Sequence, residues 1–356
     1  MTADARGPSR GARRRQRVDG VLLLDKHRGI SSNHAMLSAR RLLSAAKAGH
    51  GGTLDPMASG LLPVLLGEAT KFAFDLLEAD KTYLASIKLG EISSTADAEG
   101  NIQPTGEAMP TRQAMLETLA AFTGDIEQIP PMYSALKHEG RPLYEYARKG
   151  VEIERTTRRV TVHRIDLLAF ELPRVKIRVV CSKGTYLRTL AADIGAGLGC
   201  GAWLEDLRRE AVGDLKLDDA VSLDALEAGG EDARQAYVAP LDRLLGGLDR
   251  VELDADRALR FSQGQKLRVA EPSDSAARRV AVYGVQALLG VATLESGVIA
   301  PLRLVASPLS GAVGAAPARG ITALQNFPQG ESARTDRGLP NRGTTPHQDP
   351  PGESRP

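Results

Sequence analysis

Asp55 lies in a segment whose residue types suit a carboxylate held rigidly at the edge of a cleft. The segment reads Gly49-His50-Gly51-Gly52-Thr53-Leu54-Asp55-Pro56. Its glycines permit backbone turns that are closed to other residues, and its proline restricts the backbone of the aspartate before it. The segment is too rich in glycine to predict regular structure and has too few apolar side chains to be core. An aspartate before proline more often forms a turn than catalyses a reaction, so the segment alone leaves both interpretations open.

Regular elements are predicted before this segment. Residues Gly20 to Leu24 form a short apolar run that predicts a buried strand. Ser31 or Ser32 then caps a helix, since serine side chains accept hydrogen bonds from the first free amides. This helix is expected to end at Gly49 and to place four apolar residues on one face: Met36, Ala39, Leu43 and Ala46.

Two strands and a second helix are predicted after the segment. Residues 81–90 and 175–181 have apolar side chains at every second position, the period of a strand with one buried face. The second strand runs into the turn 182–185, and residues 187–198 then predict a helix with one apolar stripe. Strands and helices mix without a regular βαβ repeat. This favours an α+β fold around a mixed, largely antiparallel sheet.

The chain divides into four parts by composition. Residues 1–18 are rich in arginine and predict a disordered basic arm, while residues 307–356 are rich in Pro and Gly and predict a disordered tail. Residues 19–250 have the size of one large domain. Residues 251–306 carry short strand patterns and predict a small β-rich domain.

Composition excludes several classes of protein. The chain has 356 residues and is 42% hydrophobic, but no apolar run approaches the roughly 18–20 residues that span a bilayer, so no membrane partner is expected. The arginine-rich start has no apolar core, which argues against a secretory signal. Cys181 and Cys200 are too few for a disulfide framework or a zinc site, so we expect a reducing, cytoplasmic compartment and no metal. A net charge of +2 means that any affinity for nucleic acid must come from a local patch.

The segment around Asp55 continues in a pattern that closely resembles the catalytic motif of the TruB family of tRNA pseudouridine-55 synthases. It extends through Met57-Ala58-Ser59-Gly60-Leu61-Leu62-Pro63-Val64 and ends in Gly67-Glu68-Ala69-Thr70-Lys71. Other blocks that resemble this family occur in family order over roughly residues 20–305: Gly20 to Lys26, Gly29 to Asn33, Asp80 to Tyr83, Pro130 to Ala135, Ser182 to Arg188, Leu198 to Ala202 and Leu207 to Arg209. The resemblance implies a pseudouridine-synthase fold that isomerises uridine 55 in the T-arm loop of tRNA.

The resemblance also implies roles for individual residues in that reaction. Asp55 would be the nucleophile, attacking either the ribose anomeric carbon or the uracil ring while the glycosidic bond breaks. Arg188 would keep the Asp55 carboxylate ionised by ion pairing. Tyr83 would stack on the flipped base and could accept a proton. Uridine isomerisation is redox-neutral, so no cofactor is expected.

The remaining implied residues bind the RNA. A uridine inside a folded loop must be extruded before an enzyme can reach it, and His50 would take the place of the flipped base. Tyr186 and Leu207 would form walls of the pocket, each with plain core packing as an equally good interpretation. Lys26 would either contact RNA or take part in a structural ion pair.

Basic residues elsewhere could bind RNA phosphates. They fall in residues 141–149 and 155–159, and the first of these ranges corresponds to a segment that the family uses as a loop ordering on RNA. Residues 251–306 resemble the family's small PUA-like domain, which touches the end of the acceptor stem. The expected partner is therefore tRNA, and a monomer is the default oligomeric state.

Two positions depart from the family pattern. His27 stands where the family usually has proline, and this exchange should loosen a turn. Gly51 stands where the family usually has threonine, which gives more backbone freedom beside His50.

Three other functions remain open on the sequence. The chain could be an RNA-binding helper for tRNA folding, with or without catalysis. It could be a guide-RNA-dependent relative acting on ribosomal RNA, although such a relative would be expected to carry a larger terminal domain and lysine-rich tails. An unrelated hydrolase with an aspartate nucleophile would need a separate base for water, and no such partner is evident.

Overall fold

A computed structural model describes residues 15–270, 276–285 and 287–306, all of them within one compact unit that spans residues 1–310. The predicted tail, residues 307–356, lies outside the described residues, as does the predicted basic arm except for its residues 15–18.

The described chain contains the following strands and helices. The strands are β1 (Gly20–Lys26), β2 (Ala48–His50), β3 (Ser59–Leu66), β4 (Lys81–Leu89), β5 (Glu91–Ser93), β6 (Ile102–Pro104), β7 (Gly124–Gln128), β8 (Lys137–His138), β9 (Arg141–Pro142), β10 (Arg158–Glu171), β11 (Arg174–Cys181), β12 (Ala202–Val212), β13 (Leu215–Lys216), β14 (Val221–Ser222), β15 (Val238–Ala239), β16 (Asp249–Glu252), β17 (Leu267–Arg268), β18 (Arg278–Tyr283), β19 (Leu288–Glu295) and β20 (Val298–Leu304). The helices are α1 (Ser32–Leu42), α2 (Ala73–Glu78), α3 (Arg112–Ala121), α4 (Leu143–Ala147), α5 (Leu187–Gly197), α6 (Leu223–Ala228), α7 (Glu231–Ala236) and α8 (Ala255–Ser262).

Eleven of the described strands form one large sheet. Its main path runs β14-β1-β3-β12-β4-β11-β10-β7, and β2, β13 and β15 pair at its sides. Among the described pairs of this sheet, β1 with β14 and β3 with β12 are parallel, and the others are antiparallel. The prediction of an α+β fold around a mixed, largely antiparallel sheet is confirmed.

The parallel contact between β3 and β12 needs a glycine at position 60. Gly60 lies opposite Arg209 and has a φ of +98°, a conformation that other residues rarely adopt. A Cβ at this position would lie 2.7 Å from the Arg209 backbone nitrogen. The missing side chain therefore lets β12 approach β3, and this approach places Arg209 beside the segment that contains Asp55.

Two apolar layers cover the large sheet near this point. Helix α5 packs Leu190 and Ile194 against Ile87 and Ile177 of β4 and β11, as the period-2 pattern of those strands predicts. Helix α1 packs Met36 and neighbouring apolar residues against β1 and β3. The strands and helices predicted at 81–90, 175–181 and 187–198 are confirmed.

The prediction that the first helix reaches Gly49 is wrong. Helix α1 ends at Leu42, because Ser44 adopts a φ of +52°, which the helix cannot accommodate. Ala46 therefore lies outside the helix. The start of the segment around Asp55 is also more regular than predicted, since Ala48–His50 pairs with β3 as strand β2.

A five-stranded sheet lies in the C-terminal part of the described chain, in the order β16-β18-β19-β20-β17, while β5 pairs with β6 and β8 with β9 in two small hairpins. It contains the strands predicted within residues 251–306. Its residues Ala281 and Tyr283 share an apolar core with Phe72 and Leu76, which belong to the part of the chain around the large sheet. None of the described helices is long and apolar enough to cross a membrane.

Candidate active site

Asp55 lies at the edge of a pocket of about 220 Å³. The backbone beside it is fixed on both sides: Leu54 is buried at 3% exposure, and the Pro56 carbonyl accepts a hydrogen bond from the Gly29 amide at 2.8 Å. The Asp55 side chain is 37% exposed, so its carboxylate can meet a molecule in the pocket.

Arg188 forms an ion pair with the Asp55 carboxylate. Its Nε lies 3.0 Å from Asp55 Oδ2, and its side chain is only 5% exposed. A second guanidinium nitrogen lies 3.2 Å from Asp97 Oδ2, and the third donates to the Tyr133 carbonyl at 2.6 Å. Arg188 thus sits in the first turn of α5 between two carboxylates, and the fork of its guanidinium fixes the direction of each contact.

Asp97 belongs to the site although the sequence analysis did not select it. Its side chain is 3% exposed, and it accepts hydrogen bonds from the Thr95 hydroxyl at 2.5 Å and from the Glu99 amide at 3.0 Å. No local pattern distinguishes Asp97 in the sequence. Only the fold brings it to Arg188, so that one arginine is shared by two aspartates.

The pKa of Asp55 is raised above the ordinary value of an aspartate. Burial is the main cause, and the nearby charge of Asp97 acts in the same direction. Arg188 and Lys26 oppose this shift because their positive charges favour the ionised carboxylate. The neighbouring cations therefore favour the ionised form of this carboxylate, although burial outweighs them.

Lys26 is one of these cations, and it is completely buried at the end of β1. Its ammonium donates to the carbonyls of His27 at 3.0 Å and Ile30 at 2.9 Å. Burial lowers the pKa of Lys26 to about 8, with Asp55 acting against that shift. Here the ammonium stabilises the turn that follows β1, and it does not line the pocket.

The seven predicted site residues fall into two groups, those that line the pocket and those that do not. Five of the seven line the pocket: Asp55, Tyr83, Tyr186, Arg188 and Leu207. His50 lies outside the pocket on β2, opposite Val64 of β3. Its Nδ1 is buried without a hydrogen-bond partner, and burial together with the charge of Arg209 lowers its pKa, which favours the neutral imidazole.

Arg209 is a second residue of the site that the sequence analysis did not select. It is 1% exposed, lines the pocket, and donates from Nε to the Leu61 carbonyl at 2.8 Å and from a terminal nitrogen to the Gly52 carbonyl at 3.2 Å. Its positive charge also opposes the rise in the pKa of Tyr83 that burial causes. Arg209 does stand in the block Leu207 to Arg209 that resembles the family. However, two adjacent arginines are more typical of an exposed surface than of a buried site.

Gly51, one of the two departures from the family pattern, packs closely against α2. Its amide donates to the Pro63 carbonyl at 2.9 Å. A Cβ at this position would contact Leu76 Cδ1 and would lie 2.9 Å from Leu76 Cβ. Leu76 thus fills the space beside the glycine. The other departure, His27, places its Nδ1 2.7 Å from the Arg28 carbonyl oxygen.

The described residues contain no group of three or more His, Cys, Asp and Glu side chains that could hold a metal ion. The ionisable side chains that line the pocket are one carboxylate, two arginines, two tyrosines and two lysines: Asp55, Arg188, Arg209, Tyr83, Tyr186, Lys81 and Lys183.

Three family models match successive parts of this chain. Residues 40–187 match "TruB family pseudouridylate synthase (N terminal domain)", residues 188–251 match "tRNA pseudouridylate synthase B C-terminal domain", and residues 250–305 match "Pseudouridine synthase II TruB, C-terminal". Together they cover residues 40–305, which contain the pocket, the small sheet and every described strand of the large sheet except β1.

Similar proteins and structures agree with these matches. The chain is 53% identical over 293 residues to the tRNA pseudouridine synthase B of Azoarcus sp. (strain BH72), covering 82% of this chain and 97% of that one. It is 54% identical over 296 residues to the protein of the same name from Burkholderia mallei (strain NCTC 10247), covering 82% and 98%. A solved structure titled "Crystal Structure of a Cbf5-Nop10-Gar1 Complex" matches with a TM-score of 0.63 and 26% identity over 80% of this chain and 84% of that one.

Proposed function

Since this chain belongs to the TruB family of pseudouridylate synthases, which are isomerases, we propose that it converts uridine 55 in the T-arm loop of tRNA to pseudouridine, with Asp55 as the nucleophile. Its relatives in Azoarcus and Burkholderia carry the name tRNA pseudouridine synthase B. The observation that carries the proposal is the contact of 3.0 Å between Arg188 Nε and the half-exposed Asp55 carboxylate at the edge of the pocket.

This contact supplies what a carboxylate nucleophile needs. Attack requires the ionised form, and burial disfavours that form. Arg188 stabilises the charge while leaving the carboxylate open toward the pocket. The carboxylate then attacks either the ribose anomeric carbon or the uracil ring. In either route the N1–C1′ bond breaks, a C1′–C5 bond forms and the bond to Asp55 is released. C5 then loses its hydrogen as a proton and N1 gains one, so the product is an isomer of the substrate and the carboxylate is regenerated.

The pocket suits a single extruded base. A uridine that is stacked in a folded loop cannot place its ring beside a carboxylate at the edge of a recess, so the enzyme flips it out. Tyr83 stacks on the flipped ring, and Tyr186 and Leu207 form walls. His50 fills the place that the base leaves in the RNA, and its rigid position on β2 supports that role.

Exposed basic residues near residue 141 bind the RNA backbone in this proposal. Arg141, Arg148 and Lys149 are exposed, on or next to β9 and α4. Arg155 differs from them, because its guanidinium donates to the Pro130 carbonyl at 3.3 Å and to Glu152 at 3.0 Å. We therefore assign phosphate binding to the exposed residues, whereas Arg155 stabilises the local structure through its contacts with Pro130 and Glu152.

The small sheet forms the second RNA-binding part. Two family models meet at residues 250–251, and β16 of the small sheet begins at Asp249. Both observations support a boundary close to residue 250 between the catalytic domain, residues 19–250, and the PUA-like domain, residues 251–306. This domain touches the acceptor stem, and one copy of the chain suffices for the reaction.

The proposal is tested by tritium release from tRNA transcripts labelled at C5 of uridine. The protein is expected to release tritium from a transcript with uridine at position 55 and none beyond background from a transcript with cytidine there. Equal release from both transcripts would contradict the assigned position. Tight binding without release would instead support the RNA-folding helper.

The acid side of the pH profile provides a further prediction. Since the pKa of Asp55 is raised by burial, the reactive carboxylate is lost at a higher pH than an ordinary aspartate would be. Single-turnover rates should therefore fall as the pH decreases, with a midpoint above the ordinary pKa of an aspartate. For the same reason the folded state binds this proton more tightly than the unfolded chain, so Asp55 contributes less to stability as the pH rises through its pKa.

Circular dichroism at each pH provides the control, because acid unfolding would imitate the loss of activity. A rate that stays constant down to the ordinary pKa of an aspartate, with the protein folded, would contradict the assignment of Asp55.

A further inference from the structure

Ser32 contacts the backbone directly before Asp55 in an unusual way. Its hydroxyl accepts a hydrogen bond from the Leu54 amide at 2.7 Å and donates one to the Leu54 carbonyl at 2.9 Å. Ser32 is 2% exposed and Leu54 is 3% exposed, so water cannot replace either bond. One side chain thus satisfies both polar groups of the residue that precedes the nucleophile.

The turn before Ser32 contacts the other side of Asp55. The Gly29 amide donates to the Pro56 carbonyl at 2.8 Å. Lys26 stabilises the same turn, because its ammonium binds the carbonyls of His27 and Ile30. Residues 26–32 therefore hold the backbone on both sides of Asp55, and Ser32 provides two of the three bonds.

We propose that Ser32 is a positioning residue, whose hydroxyl fixes the Leu54 peptide groups and thereby holds the Asp55 carboxylate at Arg188 and at the pocket. This inference rests on the proposed function of Asp55. A rotation of the Leu54 peptide would move the carboxylate away from its attacking position, and a displacement of about 1 Å can cost on the order of 100-fold in rate.

The neighbouring serine has a different task, which provides a matched control. Ser31 is the N-cap of α1, and its hydroxyl accepts a hydrogen bond from the His34 amide at 3.2 Å. Ser31→Ala therefore removes a helix cap, while Ser32→Ala removes the contacts to Leu54. Both variants lose one hydroxyl from adjacent positions of the same helix start.

The test compares single-turnover tritium release, tRNA affinity and stability for Ser31→Ala, Ser32→Ala and Ser32→Thr in the full chain. We expect Ser32→Ala to react roughly 10- to 100-fold more slowly than the wild type at saturating enzyme, with tRNA affinity changed less than about threefold. Ser31→Ala should keep the wild-type rate and lose only stability. Ser32→Thr retains a hydroxyl and should recover most of the rate.

Amide hydrogen exchange at Leu54 tests the contact without relying on activity. In Ser32→Ala this amide has lost its acceptor, and its exchange should rise by at least about tenfold while α1 amides change little. The inference would be overturned if Ser32→Ala reacted at the wild-type rate. It would also be overturned if the loss of rate were no larger than the fraction of the variant that is unfolded. A wild type that releases no tritium would refute the proposed function instead, and unchanged exchange at Leu54 would then still refute the role of Ser32.

Discussion

Asp55→Asn is expected to abolish tritium release, with a rate at least about 10⁴-fold below that of the wild type. Asparagine has nearly the same shape but cannot act as an anionic nucleophile at its amide. Arg188 keeps its second carboxylate partner in this variant, because Asp97 lies 3.2 Å from it. The variant should therefore fold and bind tRNA as the wild type does, which thermal unfolding and filter binding can verify.

Asp25→Asn is a suitable control for that experiment. Asp25 is also a partly buried aspartate paired with an arginine, since its Oδ2 lies 2.7 Å from Arg208 and its side chain is 29% exposed. It does not line the pocket. We expect its rate to stay within about threefold of the wild type. An Asp55→Asn variant with more than about 1% of the wild-type rate would rule out Asp55 as the nucleophile.

Arg188→Met should damage both activity and stability. The substitution leaves Asp55 and Asp97 facing each other without the cation between them, and breaking a buried pair in this way costs about 3–5 kcal/mol of unfolding free energy. Because Arg188 lowers the pKa of Asp55, its loss should raise that pKa and move the acid limb of the rate profile to higher pH. We expect a fall in single-turnover rate of at least about 100-fold, measured beside urea unfolding.

Arg178→Met separates the effect of burial from the loss of an ion pair. Arg178 Nε lies 2.7 Å from Glu210 Oε2, but the side chain is 39% exposed, so water screens the pair. This variant should keep the wild-type rate and the wild-type urea midpoint. If Arg188→Met behaved like Arg178→Met, the cation between the two aspartates would have no part in the reaction.

Elements with strong periodicity could be predicted from the sequence. From Ala85 to Leu89, strand β4 alternates buried and half-buried residues because one of its faces packs under α5, and the alternation of apolar residues in the sequence indicates this directly. Strand β2 could not be predicted in the same way. Its three residues include Gly49, and only pairing with β3 makes them a strand.

The site shows the same division. Asp55 and Arg188 stand in recognisable blocks, whereas Asp97 joins them through tertiary structure alone. A serine before an apolar helix reads as a cap, and of the two candidates Ser31 proved to be that cap. Nothing in the sequence shows that the hydroxyl of Ser32 turns to Leu54, since such bonds bridge 22 residues.

The apolar core that Phe72 and Leu76 share with Ala281 and Tyr283 determines whether the chain can be divided into two separately folding pieces. The two sheets outline separate regions, but their buried side chains do not divide at the same place. A chain cut at residue 250 would leave part of its hydrophobic surface uncovered, next to the helix that packs on Gly51. The C-terminal sheet is therefore not an interchangeable module, because its removal would uncover apolar side chains of α2, the helix that packs on Gly51 near Asp55.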